Sequence, residues 1–204
     1  MSDGSDRIGV LGGTFDPIHH GHLALAAEAR HHLGLSKVLF VVAAQQPLKV
    51  AGHAASAEQR LAMVELACAD EPAFVPSDIE LRRPPPSYTA DTLHELRASL
   101  PSRAALWFIM GADSLADLPR WRRSAEIIAL ARLAAAQRPG IALDPAALDA
   151  RLPGIAARLD LFEGPRLDIA SSDLRARRAA GLPLRYQMPD AVIAYIEAHG
   201  LYQD

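Results

Sequence analysis

Gly12-Gly13-Thr14-Phe15-Asp16-Pro17-Ile18-His19-His20-Gly21-His22 lies between two different periodicities. Upstream, Ile8-Gly9-Val10-Leu11 is a short apolar run with the length and bounding glycines of a buried strand. Downstream, Leu23 to Leu33 repeats apolar residues at helical spacing and is rich in alanine. The stretch therefore sits where a strand hands over to a helix, a junction at which backbone N–H groups and the helix dipole converge on an anion. A nucleotide phosphate is the expected ligand. Gly12 and Gly13 are expected to turn the backbone sharply and bring it close to that ligand, with Thr14 and Phe15 offering main-chain N–H groups.

The same alternation continues along the chain. Strand-like runs fall at residues 7–11, 37–43, 73–76, 104–110, 130–136 and 157–162, with helical patterns between them. Ser56 and Gln59 form a capping box ahead of a helix through Cys68, and Thr89 to Leu100 and Pro189 to His199 are further amphipathic helices. This pattern predicts an α/β fold: a Rossmann-like, doubly wound, mostly parallel sheet with helices on both faces and a small C-terminal helical part. Residues 1–6 read as a flexible N-terminus and 7–204 as one domain. Two proline-bearing stretches interrupt the alternation. The first, Arg82 to Tyr88, has three prolines and is expected to be stiff and extended, either a substrate wall whose amides point into a pocket or a tight surface crossing; the second is Pro139 to Gly154.

Ligands of such sheets bind beyond the carboxyl ends of the strands, so the loops Gly12 to His22, Ala44 to Lys49 and Gly111 to Trp121 carry the functional expectation. Net charge is −3, which argues against a broad nucleic-acid-binding face. No apolar run approaches the roughly 20 residues needed to span a bilayer, and the opening residues have no signal-peptide core. These features predict a cytoplasmic protein acting on small molecules, without nucleic-acid or membrane partners; homo-oligomerisation is compatible with them. Cys68 is the only cysteine, which excludes an intrachain disulfide and a thiolate cluster and reads as a core residue. Lys37 and Lys49 are the only lysines against nineteen arginines, so a retained lysine after a strand, Lys49, hints at a site for a compact ammonium.

His19 and His22, three apart at a helix start, can present both imidazoles to one ligand. Metal ligation is disfavoured, because no HExxH pattern, cysteine pair or acidic partner accompanies them. As phosphate donors they fit, since imidazole N–H groups can follow charge that builds on phosphate oxygens. Asp16-Pro17 reads as a turn and cap. In Ile169-Ala170-Ser171-Ser172-Asp173-Leu174-Arg175, Ser171 or Ser172 can cap a second helix, or these hydroxyls and Arg175 can hold a polyphosphate. Asp113, after a strand, is placed to accept from ribose hydroxyls. Trp121 either stacks on a flat ring or closes a hydrophobic corner, the commoner case.

The chain resembles the nicotinate-mononucleotide adenylyltransferase family of HxGH nucleotidyltransferases. GGTFDPIHHGH matches the first signature, Ser87-Tyr88-Thr89-Ala90-Asp91-Thr92-Leu93 the SYTxxTL segment, and Gly111-Ala112-Asp113-Ser114-Leu115 the GxDSL segment. Leu118 to Trp121 fits LPxW, Arg138-Pro139-Gly140 the RPG element, and Tyr195 to Tyr202 the family's close. The resemblance implies that the 5′-phosphate of the mononucleotide attacks the α-phosphorus of ATP, with Mg²⁺ accompanying the triphosphate. It implies ATP contacts from Gly12, Gly13, Thr14, Phe15, His19, His22, Ser171, Ser172 and Arg175, with His19, His22, Lys49 and Arg175 acting on the transferring charge. On the mononucleotide side it implies Asp16, Lys49, Tyr88, Thr89, Asp113, Trp121 and Arg138, with amides near Thr89 on the nicotinate carboxylate and Trp121 on the pyridine ring.

Two departures stand out. Leu48 replaces a histidine usual before the lysine, and Ala170 replaces a serine in the late ISSTxIR signature. Siblings that use nicotinamide mononucleotide or phosphopantetheine, and a nucleotide-binding module without turnover, are the rival readings. A class I aminoacyl-tRNA synthetase is disfavoured by the short chain and the missing KMSKS-like loop.

Overall fold

The central apolar runs of the sequence extend as strands because they are buried on both sides, which suits continuous Val, Ile and Leu rather than alternation, while the two edge runs are only half-buried. In the computed structural model, which describes residues 6–45, 54–137 and 144–203, these are β1 (Arg7–Gly13), β2 (Lys37–Val42), β3 (Phe74–Ser77), β4 (Ala105–Gly111), β5 (Arg132–Gln137) and β6 (Leu159–Glu163). Between and after them run α1 (His20–Leu33), α2 (Ala57–Cys68), α3 (Thr89–Ser99), α4 (Ala112–Asp117), α5 (Ser124–Leu130), α6 (Pro145–Arg151), α7 (Ser171–Ala179) and α8 (Asp190–Ala198).

The sheet order is β3-β2-β1-β4-β5-β6. Registered pairs such as Val10 with Phe108, Ile109 with Ala134 and Ala135 with Leu161 run parallel. The chain winds outward from β1 in one direction and from β4 in the other. This is the doubly wound arrangement, in which right-handed crossovers place helices on both faces and ligands collect where the order reverses. All six expected strands are present. β5 begins two residues later than its apolar run, because Leu130 closes α5.

The chain divides into two compact units, Met1–Leu11 with Leu25–Val38 and Tyr88–Arg166, and Gly12–Ala24 with Leu39–Ser87 and Leu167–Asp204. In the first unit α3 packs on α5, and the Arg97 guanidinium donates to Leu130 O at 2.8 Å and Ala104 O at 2.5 Å. The Asp160 carboxylate accepts from Trp107 Nε1 and from both arms of Arg132, tying β4, β5 and β6.

In the second unit α2 packs on β3 and α8, around Phe40, Met63 and Val64, which are fully buried. Burial of side chains this size stabilises by about 1.5–3 kcal/mol each. The expected capping box starts α2: Ser56 Oγ accepts from Gln59 N–H at 3.2 Å, and Gln59 Oε1 accepts from Ser56 N–H at 2.9 Å.

Within the second proline-bearing stretch, Asp144 accepts from Ala146 and Ala147 N–H and so starts α6, with Pro145 in its first turn. Residues 82–87 are non-helical and include a cis Pro85–Pro86 bond. Ser87 closes onto β2's continuation: its N–H donates to Gln45 O at 2.9 Å, and its Oγ accepts from Ala44 N–H at 3.1 Å. No helix among the described residues is long and apolar enough to cross a membrane.

Candidate active site

The loop after β1 turns at Phe15, not at its glycines. Gly12 and Gly13 belong to the strand, whereas Phe15 adopts φ 51°, left-handed and disfavoured for a bulky residue. The ring provides the compensation: Phe15 is 2% exposed, 5.9 Å from the Phe40 ring, and meets the His22 ring edge-on at 5.0 Å. Gly13 is needed for space, since a Cβ there would stand 2.8 Å from the Phe15 ring.

His19 and His22 share one face, as their spacing requires. Their rings stack at 3.7 Å with 27° between planes. His22 Nδ1 accepts from His19 N–H at 3.3 Å, so neutral His22 carries its proton on Nε2 and is a donor there. His19 is 5% exposed, and its Nδ1 is buried without a protein partner. Burial, helped by the charge of His20, lowers its pKa from 6.5 to about 4. His19 is therefore a neutral donor or acceptor at neutral pH. The His20 N–H donates to Gln187 O at 3.0 Å.

Around this pair the second unit gathers residues from far along the chain. Asp16, expected at the mononucleotide, is 4% exposed and turns its carboxylate to protein donors: Ala54 N–H at 2.9 Å, Ala55 N–H at 3.2 Å and the Tyr202 hydroxyl at 2.7 Å. Arg175 Nη1 donates to Asp16 O at 2.7 Å, and Ser171 Oγ to Pro17 O at 2.9 Å. The structure thus brings Ser171 and Arg175 to the histidine loop, as the sequence led us to expect. The serine cap is a correction. Ala170 occupies the N-cap without a side-chain bond, Ser171 is the first helical residue with its hydroxyl committed to Pro17, and Ser172 Oγ donates to Asp173 Oδ1.

Sequence reasoning missed Arg60 and Tyr202. Arg60 has no exposed surface, and its guanidinium donates to Thr14 O at 2.8 Å, Ala43 O at 2.7 Å and Ala44 O at 3.3 Å, clamping the segments that leave β1 and β2. Burial lowers its pKa, and the Asp16 charge opposes that shift. A signal was present, because Arg60 falls on the buried stripe of α2 with Met63, Val64 and Cys68. Burial also pushes the Cys68 thiol up to about 12, which keeps it unreactive.

The first unit carries Tyr88, Thr89, Asp113 and Trp121, four of the residues expected at the mononucleotide. Tyr88 is the N-cap of α3, its carbonyl accepting from Asp91 and Thr92 N–H, and Thr89 is the first helical residue. The Arg122 guanidinium lies 4.6 Å from the Tyr88 ring centre, and neighbouring Arg123 is paired with Asp91. Asp113 is exposed in the first turn of α4, directly after β4. Trp121 is half-buried and meets Phe108 of β4 edge-on at 6.0 Å. Lys49 and Arg138 lie outside the described residues.

A stacked histidine pair directly after β1, in a sheet of order β3-β2-β1-β4-β5-β6, marks this chain as an α/β protein with its candidate site at the first strand-to-helix junction. The model of the cytidylyltransferase-like family matches residues 10–177. A probable nicotinate-nucleotide adenylyltransferase of Roseiflexus sp. (strain RS-1) is 57% identical over 98% of this chain and 99% of its own. One from Herpetosiphon aurantiacus is 52% identical over 96% and 98%. Among solved structures, Plasmodium falciparum nicotinic acid mononucleotide adenylyltransferase complexed with NaAD has a TM-score of 0.78 at 18% identity, covering 97% of both chains, a likeness of fold. The chain belongs to the cytidylyltransferase-like family and, within it, to the nicotinate-nucleotide adenylyltransferases.

Proposed function

We infer that this protein transfers the adenylyl group of ATP to nicotinate mononucleotide, forming deamido-NAD and pyrophosphate in NAD biosynthesis in the cytoplasm. The observation that carries the reading is the His19–His22 stack where β1 hands over to α1, on a chain whose relatives of 52–57% identity bear that name. An oxygen of the mononucleotide 5′-phosphate attacks the α-phosphorus, the bond to the β-phosphate oxygen breaks, and pyrophosphate leaves. No covalent enzyme intermediate is needed, so catalysis is positioning plus stabilisation of moving charge.

His22 donates from Nε2 to the phosphate oxygens, and neutral His19 acts beside it. Arg175 and Lys49 add fixed positive charge, while Gly12, Gly13, Thr14, Phe15, Ser171 and Ser172 line the phosphate side. Tyr88, Thr89, Asp113, Trp121 and Arg138 serve the mononucleotide. Asp16 serves it only indirectly, by holding the loop. Mg²⁺ bound with ATP would supply charge neutralisation on the triphosphate.

Incubation with MgATP and nicotinate mononucleotide should yield deamido-NAD and pyrophosphate in equal amounts. ATP binding without product, in folded protein, would leave a nucleotide-binding module.

A further inference from the structure

Asp16 is flanked by two bulky residues in the left-handed region, Phe15 beside it in sequence at φ 51° and Tyr202 across the hydrogen bond at φ 59°. Each such residue costs on the order of 1 kcal/mol or more, and strain of this kind persists only where surrounding contacts over-determine it. The contacts here are polar and at least half-buried: the Tyr202 hydroxyl and two amides on the carboxylate, Arg175 on Asp16 O and Arg60 on Thr14 O. Buried polar networks of this type add little to stability compared with apolar packing of the same volume. They fix geometry instead.

The geometry leads to the histidines. Asp16 follows Phe15, the Phe15 ring forms the edge against which His22 rests at 5.0 Å, and His22 carries the stacked His19 at 3.7 Å. Rotation of the Asp16 backbone would carry the Phe15 ring with it and shift that edge.

We propose that Tyr202 is a positioning residue for adenylyl transfer: its hydroxyl pins the Asp16 carboxylate, holds Phe15 left-handed and so sets the His19–His22 stack. The proposal rests on the reading that these histidines act on the transferring phosphate. Tyr202 touches no reacting atom in this account, and its ring is buried at 8% exposure, so its hydroxyl can be removed with the packing left in place.

The test is Tyr202→Phe, assayed with MgATP and nicotinate mononucleotide and followed by ring NMR signals of His19 and His22. The expected result is a kcat lower on the order of tenfold, with both KM values within about threefold of the parent, and displaced ring signals. Unchanged kcat per folded molecule, or unmoved ring signals, overturns the proposal, whatever happens to the melting temperature. If Tyr202→Phe yields no folded protein, Tyr202→Met, which also removes the hydroxyl, is held to the same criteria. His19→Ala, run in parallel, tests the underlying reading. Full activity there would sink the role of His19, while the ring signals of Tyr202→Phe still decide whether the hydroxyl sets the stack.

Discussion

Gly21 makes room for His19: a Cβ on Gly21 would stand 2.9 Å from Nδ1 and 3.0 Å from Cε1 of that imidazole. The ring has nowhere cheap to go, since it is buried and stacked on His22. Gly21→Ala sets two effects of opposite sign against each other. Alanine favours the helix by roughly 1 kcal/mol, while the new methyl displaces the ring. The expected outcome is a kcat lower by about tenfold or more with stability nearly unchanged. Turnover measured beside thermal unfolding checks it; full turnover would show that the ring can move without consequence.

Acid should destabilise the protein through His19. The folded chain keeps this imidazole neutral down to about pH 4, whereas the unfolded chain protonates it near 6.5. The folded state therefore binds fewer protons in that window, and a contribution fully present above pH 6.5 is lost as pH falls through it. Between pH 7 and about 4.5 the loss is on the order of 2–3 kcal/mol. Denaturant unfolding of the parent and His19→Gln at both pH values isolates it. Equal losses in the two proteins would mean that His19 titrates normally.

Arg60→Met keeps the apolar stem and removes the donors. Three carbonyl oxygens, of Thr14, Ala43 and Ala44, then lose their guanidinium partner. A cost of about 2–4 kcal/mol is expected, with Arg60→Lys intermediate because an ammonium cannot reproduce the fork. Urea denaturation of the three proteins gives the order directly.

Arg175→Gln and Trp121→Ala should separate the two substrates. Arg175 is tied to the histidine loop through Asp16 O, so its loss should lower kcat/KM for ATP by roughly a hundredfold. Trp121 packs on Phe108 in the other unit, and its loss should act mainly on the KM for the mononucleotide. Steady-state kinetics with each substrate varied in turn would expose a wrong assignment as a reversed pattern.

The strands and the Ser56 capping box were legible because they follow from local rules, short apolar runs bounded by turn residues and a side chain three residues from its amide. The histidine stack was legible for the same reason, as a spacing of three at a helix start. Tyr202 on Asp16 was not, because 186 residues separate them and no local pattern records such a bond. Arg60 was hidden by its type, since a charged residue on a helix is ordinarily solvated; only its place on the Met63–Val64 stripe betrays it. At Phe15 the usual association of left-handed backbone with glycine misleads, because aromatic burial holds the residue there. Asp144-Pro145 carried a helix start that the surrounding prolines and glycines obscured.

The central claim is tested most directly by offering nicotinate mononucleotide, nicotinamide mononucleotide and phosphopantetheine together with MgATP and quantifying the three adenylylated products from one reaction. Deamido-NAD as the dominant product is the expected result. Predominance of NAD or dephospho-coenzyme A, or no adenylylated product from folded protein, would contradict the account.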